Sequence, residues 1–347
     1  MKNVKAYAAP SATEPLAPIT IDRRELQPDD VLIEVKYCGV CHSDINHARA
    51  SWRPETYPLV PGHEFTGIVA EVGSAVTRYA VGDRVGVGCM VDSCGECENC
   101  LAGEEQYCLP GITLTYASVD KYGDMTYGGY STHIVVGEDF VMRIPDSLDM
   151  AEAAPLLCAG ITSYFPLNHW GVGPGKRVAV VGLGGLGHLA VKMAVAMGAE
   201  VTVLSHSLGK REDGLRMGAS AYYATSDPAT FETLANHFDM VINTVSEPVN
   251  LDAFMSLLRL GGTLAELGAP VESMSLNAWS LLRNRRNLTG SLIASNAKTQ
   301  EMLDFCGEHG IGAEIEMIAI DRVNEAFERM LASDVRYRFV IDIASLG

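Results

Sequence analysis

Cys94, Cys97, Cys100 and Cys108 follow one another as C-x2-C-x2-C-x7-C, with Gly95 and Gly103 among the spacers. Four thiolates so close in sequence can close a tetrahedral zinc site and leave no position for a substrate, which is the chemistry of a structural metal. A second set, Cys41, His63, Glu64 and Cys158, is scattered over more than a hundred residues and mixes ligand types. Two thiolates and an imidazole keep zinc a Lewis acid with one open position, which Glu64 could fill at rest. The sequence thus predicts two zinc ions per chain with different tasks.

His63 lies in the glycine-flanked run Gly62-His63-Glu64-Phe65-Thr66-Gly67, where an imidazole can point inward. A lone histidine of this kind is more often an ordinary core residue. The neighbouring glutamate and the two cysteines reverse that reading. Asp44 is the expected partner of the second ring nitrogen, fixing the tautomer. An open zinc lowers the pKa of an alcohol and, in reverse, polarises an aldehyde carbonyl, so hydride can pass to or from a nicotinamide. Ser43, two residues after Cys41, is placed to carry the proton, although a serine there could also cap a helix.

A nicotinamide needs a pocket, and Gly182-Leu183-Gly184-Gly185-Leu186-Gly187 reads as G-x-G-x-x-G. It stands between the apolar run Val178 to Val181 and a helical pattern. That is the context in which the first glycine turns the chain, the second admits a pyrophosphate and the third packs helix on strand. At the end of the next strand, where an acid would bind a ribose 2′-hydroxyl, stand Ser205, His206 and Ser207, followed by Lys210 and Arg211. Small hydroxyls and two cations suit a 2′-phosphate, so NADP(H) is the expected cofactor.

Two kinds of framework must hold these groups. Alternation of β-branched residues at Val31 to Val40, Gly67 to Val72, Asp83 to Val87 and Ser131 to Val136 predicts a β-rich region to about residue 145. No helix-opening pattern is evident after Cys41, which argues against reading Cys38 and Cys41 as a thioredoxin-like pair. Ala151 to Leu157 reads as helical. Strands at Arg177 to Val181, Glu200 to Leu204, Met240 to Val245 and Gly262 to Leu267 then alternate with helices at His188 to Met197, Leu208 to Met217 and Leu251 to Leu260. Such alternation gives an α/β, doubly wound parallel sheet. The last segments, Lys298 to Gly310, Val323 to Ser333 and Tyr337 to Ile343, could extend that sheet or return to the β-rich part.

The chain has 347 residues, enough for two domains, and a formal charge of −17, which argues against nucleic acid or a membrane surface as partner. The small cluster Arg283, Arg285 and Arg286 reads as a solvated helix face. No signal-peptide core or membrane span is evident, so a soluble, cytoplasmic protein is expected. Its nine cysteines are then metal ligands and buried thiols rather than disulfides.

Taken together, Cys38-Gly-Val-Cys-His-Ser-Asp44, Pro61-Gly-His-Glu64, the cysteine lobe, Cys158-Ala-Gly-Ile-Thr162 and the glycine loop resemble the zinc-containing alcohol dehydrogenases of the medium-chain dehydrogenase/reductase superfamily. The resemblance extends over essentially the whole chain and is strongest to the NADP-dependent, cinnamyl alcohol dehydrogenase-like branch. It implies a GroES-like catalytic domain over 1–147 with a structural zinc lobe at 89–110. A Rossmann domain over 148–290 and a C-terminal return over 291–347 complete the expected organisation. By position it implies Cys41, His63 and Cys158 as catalytic zinc ligands with Glu64 as the resting acid, and Ser43 as the relay hydroxyl. Thr162, Ser291 and Ile293 would line the nicotinamide, and His42 would contact the pyrophosphate. A homodimer built by Rossmann-domain edges is also implied.

Two positions depart from the resemblance. Asn46 stands where relatives often carry the outer histidine of the proton relay, and asparagine cannot act as a base, so His47 or solvent must take over. Ala294 replaces a common glycine. The expected reaction is reversible hydride transfer between NADP(H) and primary alcohols or aldehydes, aromatic or medium-chain aliphatic, with Trp52 lining the substrate pocket or merely packing. The alternatives are a polyol or quinone reductase on the same scaffold and a non-catalytic zinc- and NADP-binding redox sensor.

Overall fold

The computed structural model describes residues 3–347. They form two compact units, one running to Ile161 and resumed by Ile293–Gly347, the other Thr162–Leu292. Among the described residues no helix is long and apolar enough to cross a membrane.

The first unit is organised by the strand Asp30–Gly39, whose alternating Val31, Ile33 and Val35 are buried. It pairs antiparallel with Phe65–Val72, His133–Gly137 and Arg338–Asp342. Arg84–Val87, Met142–Arg143 and Ile315–Ala319 extend the sheet. Where Val35 faces Gly67, a Cβ on Gly67 would lie 2.4 Å from the Glu34 carbonyl oxygen, so only glycine fits that crossing. Phe65, Val69, Val85, Phe327, Phe339 and Ile341 close the core behind it. The C-terminal residues, whose pattern allowed two destinations, belong to this unit: Val340 pairs with Gly39 and Ile341 with Cys38. The helix Asn296–His309 leads to them, capped by the Ser295 hydroxyl and ended by Gly310 in the left-handed region.

One expectation fails directly after Cys41. A helix, His42–Ala48, does open there, with Cys41 as its N-cap. The signal is Asp44 at the third helical position, whose carboxylate reaches back to the Cys41 N–H at 2.9 Å. This reciprocal capping arrangement has an acid in its usual place but a cysteine in place of serine or threonine.

The second unit is a six-stranded parallel sheet with spatial order Ala221–Ala224, Glu200–Ser205, Arg177–Val181, Phe238–Asn243, Leu258–Glu266 and Asn287–Gly290. The chain reverses its direction of travel across the sheet between the third and fourth of these, the doubly wound Rossmann order. The helix expected to reach Leu260 ends at Ser256, and a strand begins at Leu258. Leu257 and Leu258 are drawn into the core with Phe238 and Leu264, and Gly261, at φ +71°, allows the bend that follows. Leu208 to Met217 is likewise divided, into a 3-10 turn Leu208–Lys210 and a helix Arg211–Arg216. Nor is the arginine cluster a plain solvated face: Arg286 is anchored to the Leu258 and Ser256 carbonyls.

Candidate metal centres and cofactor loop

Asp44 is the organiser of the mixed-ligand site. Fully buried, it accepts hydrogen bonds from the Cys41 N–H at 2.9 Å, the Gly62 N–H at 3.0 Å and His63 Nδ1 at 3.0 Å. A carboxylate only accepts, so Nδ1 carries the proton and Nε2 keeps its lone pair for a metal. Gly62 takes φ +102°, and a Cβ there would meet Cys38 Sγ, the Gly129 nitrogen and the Tyr130 ring, each at 2.8 Å. Cys158 arrives from the end of the 3-10 turn Ala154–Leu157. One ligand atom each from Cys41, His63 and Cys158 lie within 4.8 Å of one another, all three residues buried. The hydrogen bond from the Cys158 thiol, aided by Arg338 and His63, holds the Cys41 thiol well below its ordinary pKa, against the effect of burial.

Glu64 is not in that cluster. It is fully buried and its Oε1 is bound by the Arg338 guanidinium, itself 3% exposed. Burial works against the Arg338 charge, but Glu64 and the thiols of Cys41 and Cys158 more than offset it and raise its pKa. A Cβ on Gly39 would lie 2.3 Å from Glu64 Oε1, so that glycine makes room for the carboxylate. Sequence reasoning missed Arg338; an arginine opening the apolar strand Arg338-Phe-Val-Ile was the available signal.

Around the site, Ser43 Oγ is 3.7 Å from Cys41 Sγ, and His42 is exposed. His47 Nδ1 is 2.6 Å from Glu55 Oε1, so the imidazole offered as a substitute for Asn46 is already tied to an acid. Its ring stands edge-on to Trp52 and to Tyr116, with centroids 5.4 and 5.3 Å away. Tyr116 in turn lies 5.7 Å from the His63 ring, and Trp52 is 41% exposed.

The four lobe cysteines likewise present sulfurs within 4.8 Å of one another. Cys94 and Cys97 Sγ lie 3.9 and 3.5 Å from Cys100 Sγ. A zinc–sulfur bond of about 2.3 Å gives a tetrahedron edge of about 3.8 Å, so the lobe fits that metal. The N–H groups of Cys97 and Leu109 point at Cys94 Sγ and Cys97 Sγ at 3.3 and 3.4 Å, as thiolate acceptors require. The Leu109 and Cys100 backbone bonds bring the Cys97 thiol down to about 6. No disulfide forms; all nine cysteines are unpaired.

In the parallel unit, Gly182 turns the chain at φ +87°. A Cβ on Gly187 would stand 1.9 Å from the Gly182 carbonyl oxygen, whereas one on Gly184 would meet nothing within 4 Å. The last of these is an open cradle, the shape a pyrophosphate needs beside helix N–H groups. His188 Nδ1 donates to the Gly184 carbonyl at 3.0 Å and Lys210 Nζ to the Leu183 carbonyl at 3.0 Å, bracing the loop that also contains Gly185 and Leu186. Ser205 ends its strand, Ser207 caps the following turn, and His206 and Arg211 are exposed beside them. Thr162 is 9% exposed. Among the described residues Ser291 Oγ is buried without a partner, and Ile293, in the other unit, is buried at φ +39°.

Two family models match: an alcohol dehydrogenase GroES-like domain over residues 27–146 and a zinc-binding dehydrogenase over 185–308. NADP-dependent alcohol dehydrogenase C 1 of Mycolicibacterium smegmatis is 62% identical, over 100% of this chain and 99% of that one. The chain belongs to the zinc-containing alcohol dehydrogenases of the medium-chain dehydrogenase/reductase superfamily. Aldehyde reductase YahK of Escherichia coli is 51% identical to this dehydrogenase over 99% of both chains. A cinnamyl alcohol dehydrogenase of Sorghum bicolor superposes on it with a TM-score of 0.96 at 45% identity, covering 99% of this chain and 98% of that one. The β-rich unit of the dehydrogenase is thus GroES-like and its parallel unit Rossmann-like.

Proposed function

We propose that this dehydrogenase interconverts primary alcohols and aldehydes, aromatic or medium-chain aliphatic, with NADP(H) and two zinc ions per chain. The observation that carries the reading is the convergence of Cys41, His63 and Cys158, with His63 Nε2 freed by Asp44, in a family member that also has the open glycine loop. Cys94, Cys97, Cys100 and Cys108 hold the structural ion. When bound, the second zinc lowers the pKa of an alcohol and polarises an aldehyde, and NADP(H) takes or gives the hydride.

The chain's own residues do the rest. Cys41, His63 and Cys158 hold the reactive metal, while Asp44 fixes the imidazole. Glu64, tied to Arg338, is the nearby acid that can approach the metal at rest. Ser43 moves the alcohol proton from the site toward solvent, because Asn46 has no basic nitrogen. Gly182, Leu183, Gly184, Gly185, Leu186 and Gly187 cradle the pyrophosphate, with His42 as a further contact. Ser205, His206, Ser207, Lys210 and Arg211 select the 2′-phosphate, Thr162, Ser291 and Ile293 line the nicotinamide, and Trp52 faces the substrate. The domain assignment that goes with this reading is 1–147, 148–290 and 291–347.

The homodimer reading is supported by the edge strand Asn287–Gly290, with Leu288, Leu282 and Trp279 exposed around it. A cytoplasmic location agrees with nine unpaired cysteines. The deciding experiment pairs zinc content per chain with NADPH and NADH oxidation on benzaldehyde, cinnamaldehyde and a medium-chain aliphatic aldehyde. Two zincs with NADPH-selective turnover are expected. One zinc and no turnover would favour the non-catalytic alternative.

A further inference from the structure

Glu266 ends the strand Leu258–Glu266, at the carboxyl edge of the parallel sheet. Ligands of a doubly wound sheet bind along that edge, with the pyrophosphate at the first glycine loop and the two halves of a dinucleotide on opposite sides of the point where strand order reverses. The loop follows Arg177–Val181, and the groups suited to the 2′-phosphate follow Glu200–Ser205, on one side. The nicotinamide half therefore runs toward the ends of Phe238–Asn243, Leu258–Glu266 and Asn287–Gly290, on the other. Glu266 stands at the middle of those three ends.

Its setting is unusual for an acid. Both carboxylate oxygens accept from Asn243 Nδ2 at 2.9 Å, and Oε1 also accepts from the Gly268 N–H at 3.1 Å. Asn243 is fully buried and is held by its own backbone contacts with Leu267 and Gly268. From the neighbouring edge strand, Gly290 and Ser291 bring no charge, and the Ser291 N–H donates to the Glu266 carbonyl at 3.3 Å. The segment Thr244 to Val245 is equally uncharged. Among the described residues no cation pairs with the Glu266 carboxylate, and its polar partners are neutral amides. Burial pushes its pKa up to about 7, with the Asn243 and Gly268 bonds pulling the other way. A negative charge that can be switched near neutrality is thus built into the nicotinamide side of the groove without a counter-ion.

We propose that Glu266 sets the preference of this groove for one oxidation state of the cofactor. The oxidised nicotinamide ring carries a positive charge and the reduced ring none, so ionised Glu266 favours NADP+ and protonated Glu266 removes that advantage. The inference rests on the reading of this groove as an NADP(H) site. Its sign is fixed by linkage: NADP+ binding draws the proton off Glu266 and tightens as pH rises through about 7, while NADPH binding does not. Acid conditions then retain NADPH relative to NADP+, and alkaline conditions the reverse.

The test measures dissociation constants of zinc-replete wild type and Glu266→Gln for NADPH and NADP+ between pH 6 and 8.5, by NADPH fluorescence and calorimetry. The 2′-phosphate titrates in both cofactor forms and cancels in the ratio of the two constants. Every other titrating group is retained in Glu266→Gln, so the difference between the proteins isolates the carboxyl. The expected result is a Kd(NADPH)/Kd(NADP+) ratio that rises roughly tenfold with pH in wild type, the scale of one charge at an effective dielectric of about 20. In Glu266→Gln that rise is lost and the ratio stays at its acid value. The same pH dependence in both proteins, or equal weakening of both cofactor forms by the substitution, overturns the proposal. Failure of wild type to bind either form would instead remove the cofactor reading itself, and this inference with it.

Discussion

Arg338 and Glu64, 274 residues apart in the chain, form a buried ion pair, and Glu64 is the residue that directly follows His63. The guanidinium is carried in by the strand Arg338–Asp342, and that strand is held by its antiparallel pairing with Tyr37 to Gly39. The second carboxylate oxygen, Glu64 Oε2, is buried and has no hydrogen-bond partner among the described residues. The acid beside the metal ligands is therefore positioned by the opposite end of the chain.

Removing one partner leaves the other charge buried and unpaired. Arg338→Leu is expected to lower unfolding free energy by about 3–5 kcal/mol, and the double variant with Glu64→Gln to recover a large part of that. Urea unfolding midpoints of the two variants check this.

Asp44 accepts from the Cys41 and Gly62 N–H groups and from His63 at once, so Asp44→Asn should loosen both the His63 tautomer and the Cys41 turn. Zinc affinity at the mixed-ligand site is expected to fall about 10–100-fold, while the cysteine lobe keeps its ion. Titration with a competing chelator, followed by zinc counting, separates the two sites. Equal loss from both would contradict the assignment.

Gly184 and Gly187 lie three residues apart and should fail in different ways. Gly187→Ala forces a Cβ to within 1.9 Å of the Gly182 carbonyl and is expected to deform the loop and lower the melting temperature. Gly184→Ala meets no protein atom within 4 Å, so the fold should persist while cofactor binding weakens sharply. Thermal melts beside NADPH binding resolve the two outcomes.

Selection of the 2′-phosphate predicts that Arg211→Ala weakens NADPH far more than NADH. Equal loss for both cofactors would remove Arg211 from that role.

Glu266 also predicts a pH signature in stability. Its folded-state pKa, about 7, lies above the ordinary carboxyl value of 4.5, so the folded protein holds this proton more tightly than the unfolded chain. The contribution is present below about 4.5 and is lost as pH rises toward 7. After allowance for solvent reaching this partly buried group, Glu266→Gln should gain about 1–2 kcal/mol over wild type at pH 8 and almost nothing at pH 4.5. Denaturant unfolding of the apo proteins at the two pH values measures it.

The parts of this protein that could be read from its sequence are those whose geometry closes within a few residues. The cysteine lobe and the glycine loop are of this kind: spacing alone brings four sulfurs together and puts each glycine where the chain must turn or be approached. The strands were legible for a similar reason, since Asp30–Gly39 and Arg177–Val181 declare themselves by alternation or by a continuous apolar run. The convergence of Cys41, His63 and Cys158 was suggested by residue types and by family resemblance, because no local pattern relates position 158 to position 41.

What only the tertiary structure decided are contacts set by strand register. The pairing of Val340 with Gly39 takes Arg338 to Glu64, and the pairing of Asn243 with Glu266 surrounds an acid with neutral amides. It also decided that the helix after Asn250 is short, where the long-range pairing of Leu258 with Phe238 outweighs what neighbouring residues signal. The helix after Cys41 is different, since its opening signal, Asp44 at the third helical position, is local. Local spacing determines which groups can meet a metal or a phosphate; burial and register, which act between residues far apart in the chain, determine the charge and orientation with which they meet it.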